Sequence, residues 1–384
     1  MPVNVAVDRC PVDRAQAEKR ICIFRVGAAG DIVMTTPLLA ALRKAYPMAF
    51  ITWVVEHKHA EAITANPHVD EIFVWQGGHW SKCMKRGYPP WSWDLGWLSR
   101  LLKSWDLDIF ISFHGEQFEW LTENAGAKTK IGFFDEDFVT EKTTIAQSAL
   151  AKYGHVVYKQ DLTLHRSDLT LCALDGLGIP KDVDRQLYFG YTELDKKRAA
   201  EILAKQGVRN PGNYVTVAPF TTWESRNWPA DRFGAVCDRL IERFGVDIVL
   251  LGSGKQEDDL KAVASSMQHK PVALAGTLSL AEMGAAIHNG KFLLTCDTGP
   301  MHVAAGVGAP YVAIFGSTPA SKLAPLVGNG TVIQKPIPCG PCYLPQCPNG
   351  QETYKKCLDI VSVDEVYAAC EQALSPEGLS SHIS

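Results

Sequence analysis

A carboxylate stands at the end of a glycine-containing turn near the start of the chain. The turn from Gly27 to Asp31 follows a short apolar run, Ile21–Arg25, and precedes a helical spacing from Ile32 to Tyr46. Gly27 and Gly30 permit a tight turn and the close approach of a ligand, and Asp31 could accept a proton from an attacking hydroxyl group. Aspartate is also a favoured N-cap residue, so a capping role is an equally good interpretation. The spacing differs from the G-x-G-x-x-G motif, so it does not predict NAD binding.

A second motif joins a strand to a helix in the C-terminal half. The apolar run Phe292–Cys296 leads into Asp297, Thr298 and Gly299, and His302 follows within the same motif. The free N–H groups and the dipole of a helix N-terminus form a natural phosphate site. A capped helix without a ligand is the alternative, but the order of strand, turn and helix favours ligand binding.

Two other loops follow strand-like runs. One contains Thr221, Thr222 and Arg226, and a guanidinium group can hold a diphosphate through paired hydrogen bonds. The other contains Ser253 and Gly254 and suits a nucleotide. A surface arginine and an ordinary glycine-rich turn are the structural alternatives. Because the arginine loop is expected at the same sheet edge as the aspartate turn, we favour the diphosphate interpretation.

Four cysteines lie in one short segment rich in glycine and proline, namely Cys339, Cys342, Cys347 and Cys357. A C-x-x-C pair lets two thiolates reach one ion, and two further thiolates could complete the tetrahedral site of a structural zinc or iron. The second pair lacks the C-x-x-C spacing of common zinc ribbons. Disulfides are an alternative that a reducing cytoplasm disfavours, and free thiols in a loop are the other.

A histidine follows the strand-like run Asp108–Phe113. His114 is the first residue of a loop that continues with Gly115 and Glu116. In α/β folds with parallel sheets, the loops at the carboxyl ends of the strands contact the ligand. We therefore predict an acceptor-side role for His114, and a core or capping role is equally compatible with the sequence.

A stretch rich in tryptophan lies between residues 75 and 105. It contains six tryptophans, namely Trp75, Trp80, Trp91, Trp93, Trp97 and Trp105, and three of its basic residues are close together, namely Lys82, Lys85 and Arg86. Amphipathic tryptophans with basic neighbours suit a lipid headgroup interface, which predicts peripheral contact with the inner membrane. They also suit stacking on sugars, and a loop whose tryptophans pack on their own domain is the alternative.

Strand-like and helical segments alternate along both halves of the chain, which predicts parallel βαβ units. For 384 residues the simplest architecture is an α/β protein with two Rossmann-like domains that face each other across a cleft. The predicted divisions are a flexible lead-in at 1–20, an N-terminal domain at 21–185, a C-terminal domain at 186–362 that includes the cysteine-rich segment 339–357, and a helix and tail at 363–384.

Composition excludes several classes of protein. A formal net charge of -4 gives no support for nucleic-acid binding, which usually requires a basic excess. No run approaches the ~18 apolar residues of a membrane-spanning helix, and the N-terminus lacks the apolar stretch of a secretory signal. The 11 cysteines are mostly scattered through apolar segments, which fits a reducing compartment. We therefore expect a cytoplasmic protein.

The motifs together resemble glycosyltransferase family 9, the heptosyltransferases. The matching segments are Arg25–Pro47, Thr221–Pro229 and Cys296–Gly308, and the cysteine-rich end looks like that of many members. The resemblance implies a GT-B fold, with the acceptor on the N-terminal domain and the nucleotide-sugar donor on the C-terminal one. It also implies ADP-heptose as donor, the lipopolysaccharide inner core as a lipid-linked glycan acceptor, inversion at the anomeric carbon, and catalysis without a cofactor or metal.

The resemblance also implies residue roles. Asp31 matches the catalytic base, and the turn at Asp297 matches the donor-binding turn. Arg226 stands where characterised members usually carry a lysine near the diphosphate, which keeps the charge but changes its reach and geometry. The candidate donor-binding residues are Thr221, Thr222, Arg226, Ser253, Gly254, Asp297, Thr298, Gly299 and His302, and the acceptor-side candidates are Gly27, Gly30 and His114. The alternative functions are a nucleotide-sugar epimerase on the same fold and a nucleotide-sugar-binding protein without activity.

Overall fold

The structure is a computed structural model that describes residues 4–6, 12–77, 86–89, 91, 94–114, 118–134, 149–152, 154–159, 163–350 and 353–375. The chain divides into two compact units, Met1–Arg185 and Gln186–Ser384. Within the described ranges, no helix is both long enough and apolar enough to cross a membrane.

The first unit is an α/β unit built on a seven-stranded sheet. Its strands are β1 (Asn4–Ala6), β2 (Arg20–Phe24), β3 (Phe50–Glu56), β4 (Glu71–Trp75), β5 (Ile109–Ser112), β6 (Thr129–Phe134) and β7 (Val156–Lys159). Its described helices are α1 (Ala29–Met34), α2 (Thr36–Ala45), α3 (Asp94–Ser104), α4 (Glu119–Glu123), α5 (Ala149–Lys152) and α6 (Arg166–Leu171), with 3₁₀ helices at His57–Ala62 and Cys172–Leu177.

The strand order of this sheet is β1-β4-β3-β2-β5-β6-β7. Only β1 among the paired strands of the described residues runs antiparallel to its neighbour. The six parallel strands therefore have the doubly wound order of a Rossmann fold, which reverses between β2 and β5. Strand β1 lies within the predicted lead-in 1–20 and pairs with β4, so that segment is not flexible throughout.

The second unit contains a six-stranded sheet in which every pairing is parallel. Its strands are β8 (Tyr214–Ala218), β9 (Asp247–Gly252), β10 (Val272–Ala275), β11 (Leu293–Cys296), β12 (Tyr311–Phe315) and β13 (Gly330–Gln334). Its helices are α7 (Glu193–Gln206), α8 (Ala230–Phe244), α9 (Glu257–Ser266), α10 (Leu280–Asn289), α11 (Gly299–Gly306), α12 (Ala320–Leu323), α13 (Lys356–Asp359) and α14 (Val363–Leu374), with 3₁₀ helices at Glu224–Arg226 and Gly254–Gln256.

The order of the second sheet is β10-β9-β8-β11-β12-β13. It repeats the doubly wound order of the first unit, and the reversal now falls between β8 and β11. The expected α/β class and the Rossmann-like character of both units are thereby confirmed. Each sheet has a core of its own, with Phe24 and Phe110 buried in the first unit and Trp228 and Phe292 in the second.

The helical spacing from Ile32 to Tyr46 was predicted to form one helix, and this prediction was wrong. The structure has two helices, α1 and α2, that meet at Thr35. Pro37 lies in the first turn of α2 and has no N–H with which to continue the hydrogen bonds of α1. The break confines Asp31 to a six-residue helix directly after the glycine-containing turn.

Candidate active site

Asp31 lies in the first turn of α1, at the carboxyl edge of the first sheet. Its Oδ2 accepts a weak hydrogen bond of 3.4 Å from the backbone N–H of Ala28, so the capping role left open by the sequence is partly realised. Its Oδ1 is 3.4 Å from Nη2 of Arg25. The Asp31 side chain nevertheless stays 39% exposed, so the carboxylate remains accessible to a ligand.

Arg25 is fixed beside this carboxylate by the end of β5. Its Nη1 donates to the carbonyl oxygen of Phe113 at 3.1 Å, and its guanidinium carbon is 5.7 Å from the centre of the Phe113 ring. A small cavity of about 20 Å³ adjoins the pair, and Arg166 lines it together with Arg25 and Asp31. The first unit therefore contains a polar pocket with one carboxylate and two guanidinium groups.

His59 also belongs to this edge, and the sequence analysis did not identify it. It follows β3, and a Cβ atom at Gly27 would lie 2.7 Å from its Cδ2, so only glycine fits at position 27 without a shift. Burial and the charge of Lys58 lower the pKa of His59, while Asp31 opposes this shift. Gly27 therefore serves a close packing contact next to the carboxylate, and Gly30 is buried in α1.

His114 has the core role that the sequence left as an alternative. The backbone N–H of Val26 donates to its Nε2 at 2.9 Å, and its ring lies 5.5 Å from that of Phe24 and 5.4 Å from that of Phe118. Burial, with a smaller effect of Arg25, lowers the pKa of His114 to about 3. A neutral His114 thus holds the end of β2 against the end of β5. Gly115 and Glu116 lie outside the described residues.

In the second unit, two of the predicted donor-site loops meet. Arg226 follows β8 and Asp297 follows β11, and Nη1 of Arg226 is 3.2 Å from Oδ2 of Asp297. The Asp297 side chain is only 4% exposed. The Arg226 guanidinium carbon also lies 3.8 Å from the centre of the Trp223 ring. Among the described residues, Nε of Arg226 is buried and has no hydrogen-bond acceptor.

The turn after Asp297 starts helix α11. Thr298 is its N-cap residue, with an extended backbone, and its side chain makes no capping hydrogen bond. Gly299 opens the helix and His302 is buried in it. Pro300 has no N–H, and the N–H of Met301 donates to the carbonyl oxygen of Thr298. The hydroxyl group of Thr298 and the N–H of Gly299 are therefore the donors of the kind that bind a phosphate.

The remaining donor-site candidates have identifiable local roles. Thr221 Oγ1 donates to the carbonyl oxygen of Trp223 at 2.8 Å and so folds the loop that carries Arg226. Thr222 is exposed beside it. Ser253 caps the 3₁₀ turn at Gly254 through hydrogen bonds with Gln256. This capping agrees with the alternative of an ordinary glycine-rich turn. The turn lies at the carboxyl end of β9.

A contact missed by the sequence analysis fixes Asp297 from the other side. Thr318, in the loop after β12, donates from Oγ1 to Oδ2 of Asp297 at 2.6 Å. No motif in the sequence indicates this contact, because the two residues follow different strands. Asp297 thus accepts from Thr318 and faces Arg226 through the same oxygen.

The four cysteines of the cysteine-rich segment line one cavity of about 30 Å³. Each is a free thiol. Asn349 Nδ2 donates to Sγ of Cys339 and the backbone N–H of Lys355 donates to Sγ of Cys347. Burial, followed by the charges of the other three thiols, raises the pKa of Cys357. Within the described part of the chain, no three histidine, cysteine, aspartate or glutamate side chains form a group that could hold a metal ion.

The tryptophan-rich stretch is only partly described. Trp80, Lys82, Lys85 and Trp93 lie outside the described residues. Trp75 is buried, whereas Trp91 is 60% exposed and Trp97 44% exposed. The alternative of tryptophans packed on their own domain therefore holds for Trp75, and Trp105 also packs against the core. Trp91 and Trp97 are exposed, although their rings lie 6.3 Å from that of Trp120 and 6.1 Å from that of Phe73.

The neutral state of His114 predicts a pH-dependent stability. Its pKa in the folded protein is far below the ordinary value of 6.5, so between the two values the unfolded chain binds more protons than the folded one. The free energy of unfolding should therefore fall as the pH decreases from 6.5 towards 3, by up to about 1.4 kcal/mol per pH unit from this residue. Urea unfolding at pH 7.5, 6 and 5 should give a flatter profile for His114→Gln than for the unaltered protein.

His57→Gln, a change of an exposed histidine, is the matched control and should keep the original profile. Equal slopes for His114→Gln and the unaltered protein would contradict the assignment of a neutral, buried imidazole.

Comparison with known proteins places this geometry in a family. The family model described as glycosyltransferase family 9 (heptosyltransferase) matches residues 102–352. Lipopolysaccharide heptosyltransferase 3 of Escherichia coli is 28% identical over 297 residues, which cover 75% of this chain and 81% of that protein. Lipopolysaccharide heptosyltransferase 1 of Pseudomonas aeruginosa is 25% identical over 330 residues, which cover 85% and 87%.

Solved structures agree on the fold. The glycosyl transferase family 9 structure from Veillonella parvula superposes with a TM-score of 0.74 at 24% identity, covering 93% of this chain and 98% of that one. The E. coli ADP-heptose lipopolysaccharide heptosyltransferase II gives a TM-score of 0.69 at 18% identity, covering 92% and 98%. The expected GT-B fold is thereby confirmed. From the extent of the family match, the chain belongs to glycosyltransferase family 9, the heptosyltransferases.

Proposed function

We propose that this protein transfers a heptose from ADP-heptose to a hydroxyl group of a lipopolysaccharide core acceptor, with inversion and without a catalytic metal. The observation that carries the proposal is the ion pair of Arg226 with the buried Asp297, which comes just before the N-terminus of α11. A cation beside a helix N-terminus is suited to a diphosphate. The named relatives are heptosyltransferases of lipopolysaccharide, which supports this donor and this acceptor class.

In the proposed reaction, the acceptor hydroxyl loses its proton to Asp31 as its oxygen attacks the anomeric carbon. The bond from that carbon to the diphosphate oxygen breaks on the opposite face, so the configuration inverts. Negative charge then builds up on the leaving ADP. Arg226, Thr298 and the N–H of Gly299 stabilise that charge, which is the task a divalent cation performs in other transferases.

Arg25 supports the proposed base. Its guanidinium is anchored on Phe113 and stands 3.4 Å from Asp31, so it orients the carboxylate. We assign Gly27 and Gly30 to the acceptor side through the shape of the turn. His114 acts on this side only by positioning the end of β2.

The two alternatives are not favoured. A nucleotide-sugar epimerase would release a free sugar product without an acceptor, and a binding protein would release nothing. The named relatives are transferases, and the chain keeps an accessible carboxylate at the position of the family's base.

Asp31→Asn should remove most turnover, because an amide cannot accept the acceptor's proton. We expect a loss of at least ~10²-fold in kcat, with an unchanged Kd for ADP. ADP release from ADP-heptose, with and without a lipid A-core acceptor, measures the activity. Asp175→Asn, a change of an exposed carboxylate in the same unit, is the control. Near-normal turnover in Asp31→Asn would contradict the assignment of Asp31 as the base, and acceptor-independent sugar release would favour an epimerase.

We further propose a cytoplasmic protein that contacts the inner membrane peripherally through the tryptophan-rich stretch. The combined change Lys82→Ser/Lys85→Ser/Arg86→Ser should reduce flotation with vesicles that contain anionic lipid, and high salt should reduce flotation of the unaltered protein. The matched control carries Lys197→Ser, Lys205→Ser and Lys270→Ser, which remove exposed charges from the other unit. Flotation that the first triple change leaves intact would reject the membrane contact.

The structural zinc or iron at the four cysteines stays a prediction. It draws support from their shared cavity and from the N–H groups that donate to two of the sulfur atoms. Metal binding would have to draw the thiols closer together, since among the described residues no three of them form a metal-holding group. Protein purified without chelator or nickel should contain about one equivalent of metal, and Cys342→Ser/Cys347→Ser should lose it. Cys172→Ser, in the other unit, is the control. A metal content below about a tenth of an equivalent per chain, with four titratable thiols, would contradict the proposed metal site.

A further inference from the structure

The loop Gly316–Pro319, which we name the β12 loop, contacts Asp297 of the Arg226–Asp297 pair and Ser225, the residue before Arg226. We propose that two residues of this loop, Ser317 and Thr318, are positioning residues for the donor diphosphate, and that Thr318 sets how much of the Arg226 charge is available to it. The inference rests on the proposed use of a nucleoside-diphosphate donor. Neither residue is assigned a role by the motifs that identified the family.

Thr318 acts on the carboxylate. Its side chain is fully buried, and its Oγ1 donates to Oδ2 of Asp297 at 2.6 Å. The same oxygen is 3.2 Å from Nη1 of Arg226. A hydroxyl group and a guanidinium group therefore share one carboxylate oxygen, which fixes the rotation of the Asp297 side chain and limits the charge that it presents to Arg226.

Ser317 acts on the arginine loop. Its Oγ lies 2.8 Å from Oγ of Ser225, the residue before Arg226, and both side chains are buried. Ser225 also donates from Oγ to the carbonyl oxygen of Leu344, and its N–H donates to that of Pro345. The arginine loop is thus held between the β12 loop and the cysteine-rich segment.

The sheet supplies the rigid support for the β12 loop. Gln334, the last residue of β13, donates from Nε2 to the carbonyl oxygen of Thr318 at 2.6 Å, and its Oε1 accepts from the N–H of Ala320 at 3.0 Å. It pairs in register with Phe315 at the end of β12. Both ends of the β12 loop are therefore anchored to the paired strands β12 and β13.

This arrangement has an electrostatic consequence. Asp297 is almost fully buried, so its charge must be matched by hydrogen bonds and by Arg226. When Thr318 supplies one of those hydrogen bonds, the carboxylate depends less on the guanidinium, which can then turn its N–H groups to a phosphate. Without the hydroxyl group, Asp297 would hold Arg226 more firmly and in a different orientation, so binding of the diphosphate would weaken.

The test is calorimetry with two probes, ADP and adenosine, on Thr318→Val. Valine matches threonine in shape and lacks only the hydroxyl group. We expect the Kd for ADP to rise about tenfold, the effect of one hydrogen bond to a charged group, with an unchanged Kd for adenosine. With ADP-heptose, KM should rise and kcat should fall as well, because Arg226 also stabilises the charge on the leaving ADP. Thr318→Ser should restore both values.

Thr216→Val is the matched control, since Thr216 is a fully buried threonine of the same unit whose Oγ1 bonds only a backbone carbonyl oxygen. It should lose stability and keep its affinity for ADP, whereas Arg226→Ala should lose ADP affinity selectively. Ser317→Ala, a smaller change, should raise the Kd for ADP about threefold and supplies the test if Thr318→Val does not fold.

The outcomes separate the two levels of the argument. If the unaltered protein binds ADP and Thr318→Val binds it equally well, or loses adenosine to the same extent, the positioning role is wrong. A loss of ADP affinity by Thr216→Val of the same size would likewise overturn it. If the unaltered protein fails to bind ADP, the proposed function is wrong, and the positioning role that rests on it is wrong as well.

Discussion

Both units depend on one constraint, the reversal of strand order between two adjacent parallel strands. The connections that follow two such strands run to opposite faces of the sheet, so a gap opens between them at its carboxyl edge. In the first unit the reversal lies between β2 and β5, and in the second between β8 and β11. Asp31 follows β2, while Arg226 and Asp297 follow β8 and β11. The residues best suited to bind or react with a ligand therefore lie where the topology leaves room for one.

The two units contain the same pair of charges in different surroundings. Arg25 and Asp31 are 3.4 Å apart with a carboxylate that is 39% exposed, whereas Arg226 and Asp297 are 3.2 Å apart with a carboxylate that is 4% exposed. An exposed carboxylate can exchange its partner for a hydroxyl group of a ligand. A buried one is costly to release, so Asp297 suits the orientation of a cation better than proton transfer.

The local motifs could be predicted from the sequence because each is a strand, a turn and a helix in direct succession. The run Phe292–Cys296 was predicted as a strand and forms Leu293–Cys296, and the turn at Asp297 starts a helix as expected. Longer-range contacts could not be predicted. The hydrogen bond from Thr318 to Asp297 spans 21 residues and exists only because β11 and β12 pair in one particular register.

Burial was the other property that the sequence could not reveal. Spacing alone put His114 at a loop start, where ligand contact and core packing are equally compatible. The structure distinguishes them, because Nε2 accepts from the N–H of Val26 and the ring packs between aromatic side chains. The break at Thr35 has a simpler cause that the sequence did contain, since Pro37 cannot extend the hydrogen bonds of α1.

The departure at Arg226 from the family's lysine follows from its surroundings. A planar guanidinium can stack on Trp223 and at the same time direct one N–H group at Asp297, as it does here. An ammonium group is a compact point charge that cannot combine a stacked face with an edge-on ion pair. The Arg226 side chain stays 17% exposed beside Asp297, and a guanidinium group has five N–H donors. An arginine at this position thus retains hydrogen-bonding capacity for a diphosphate after both protein contacts are made.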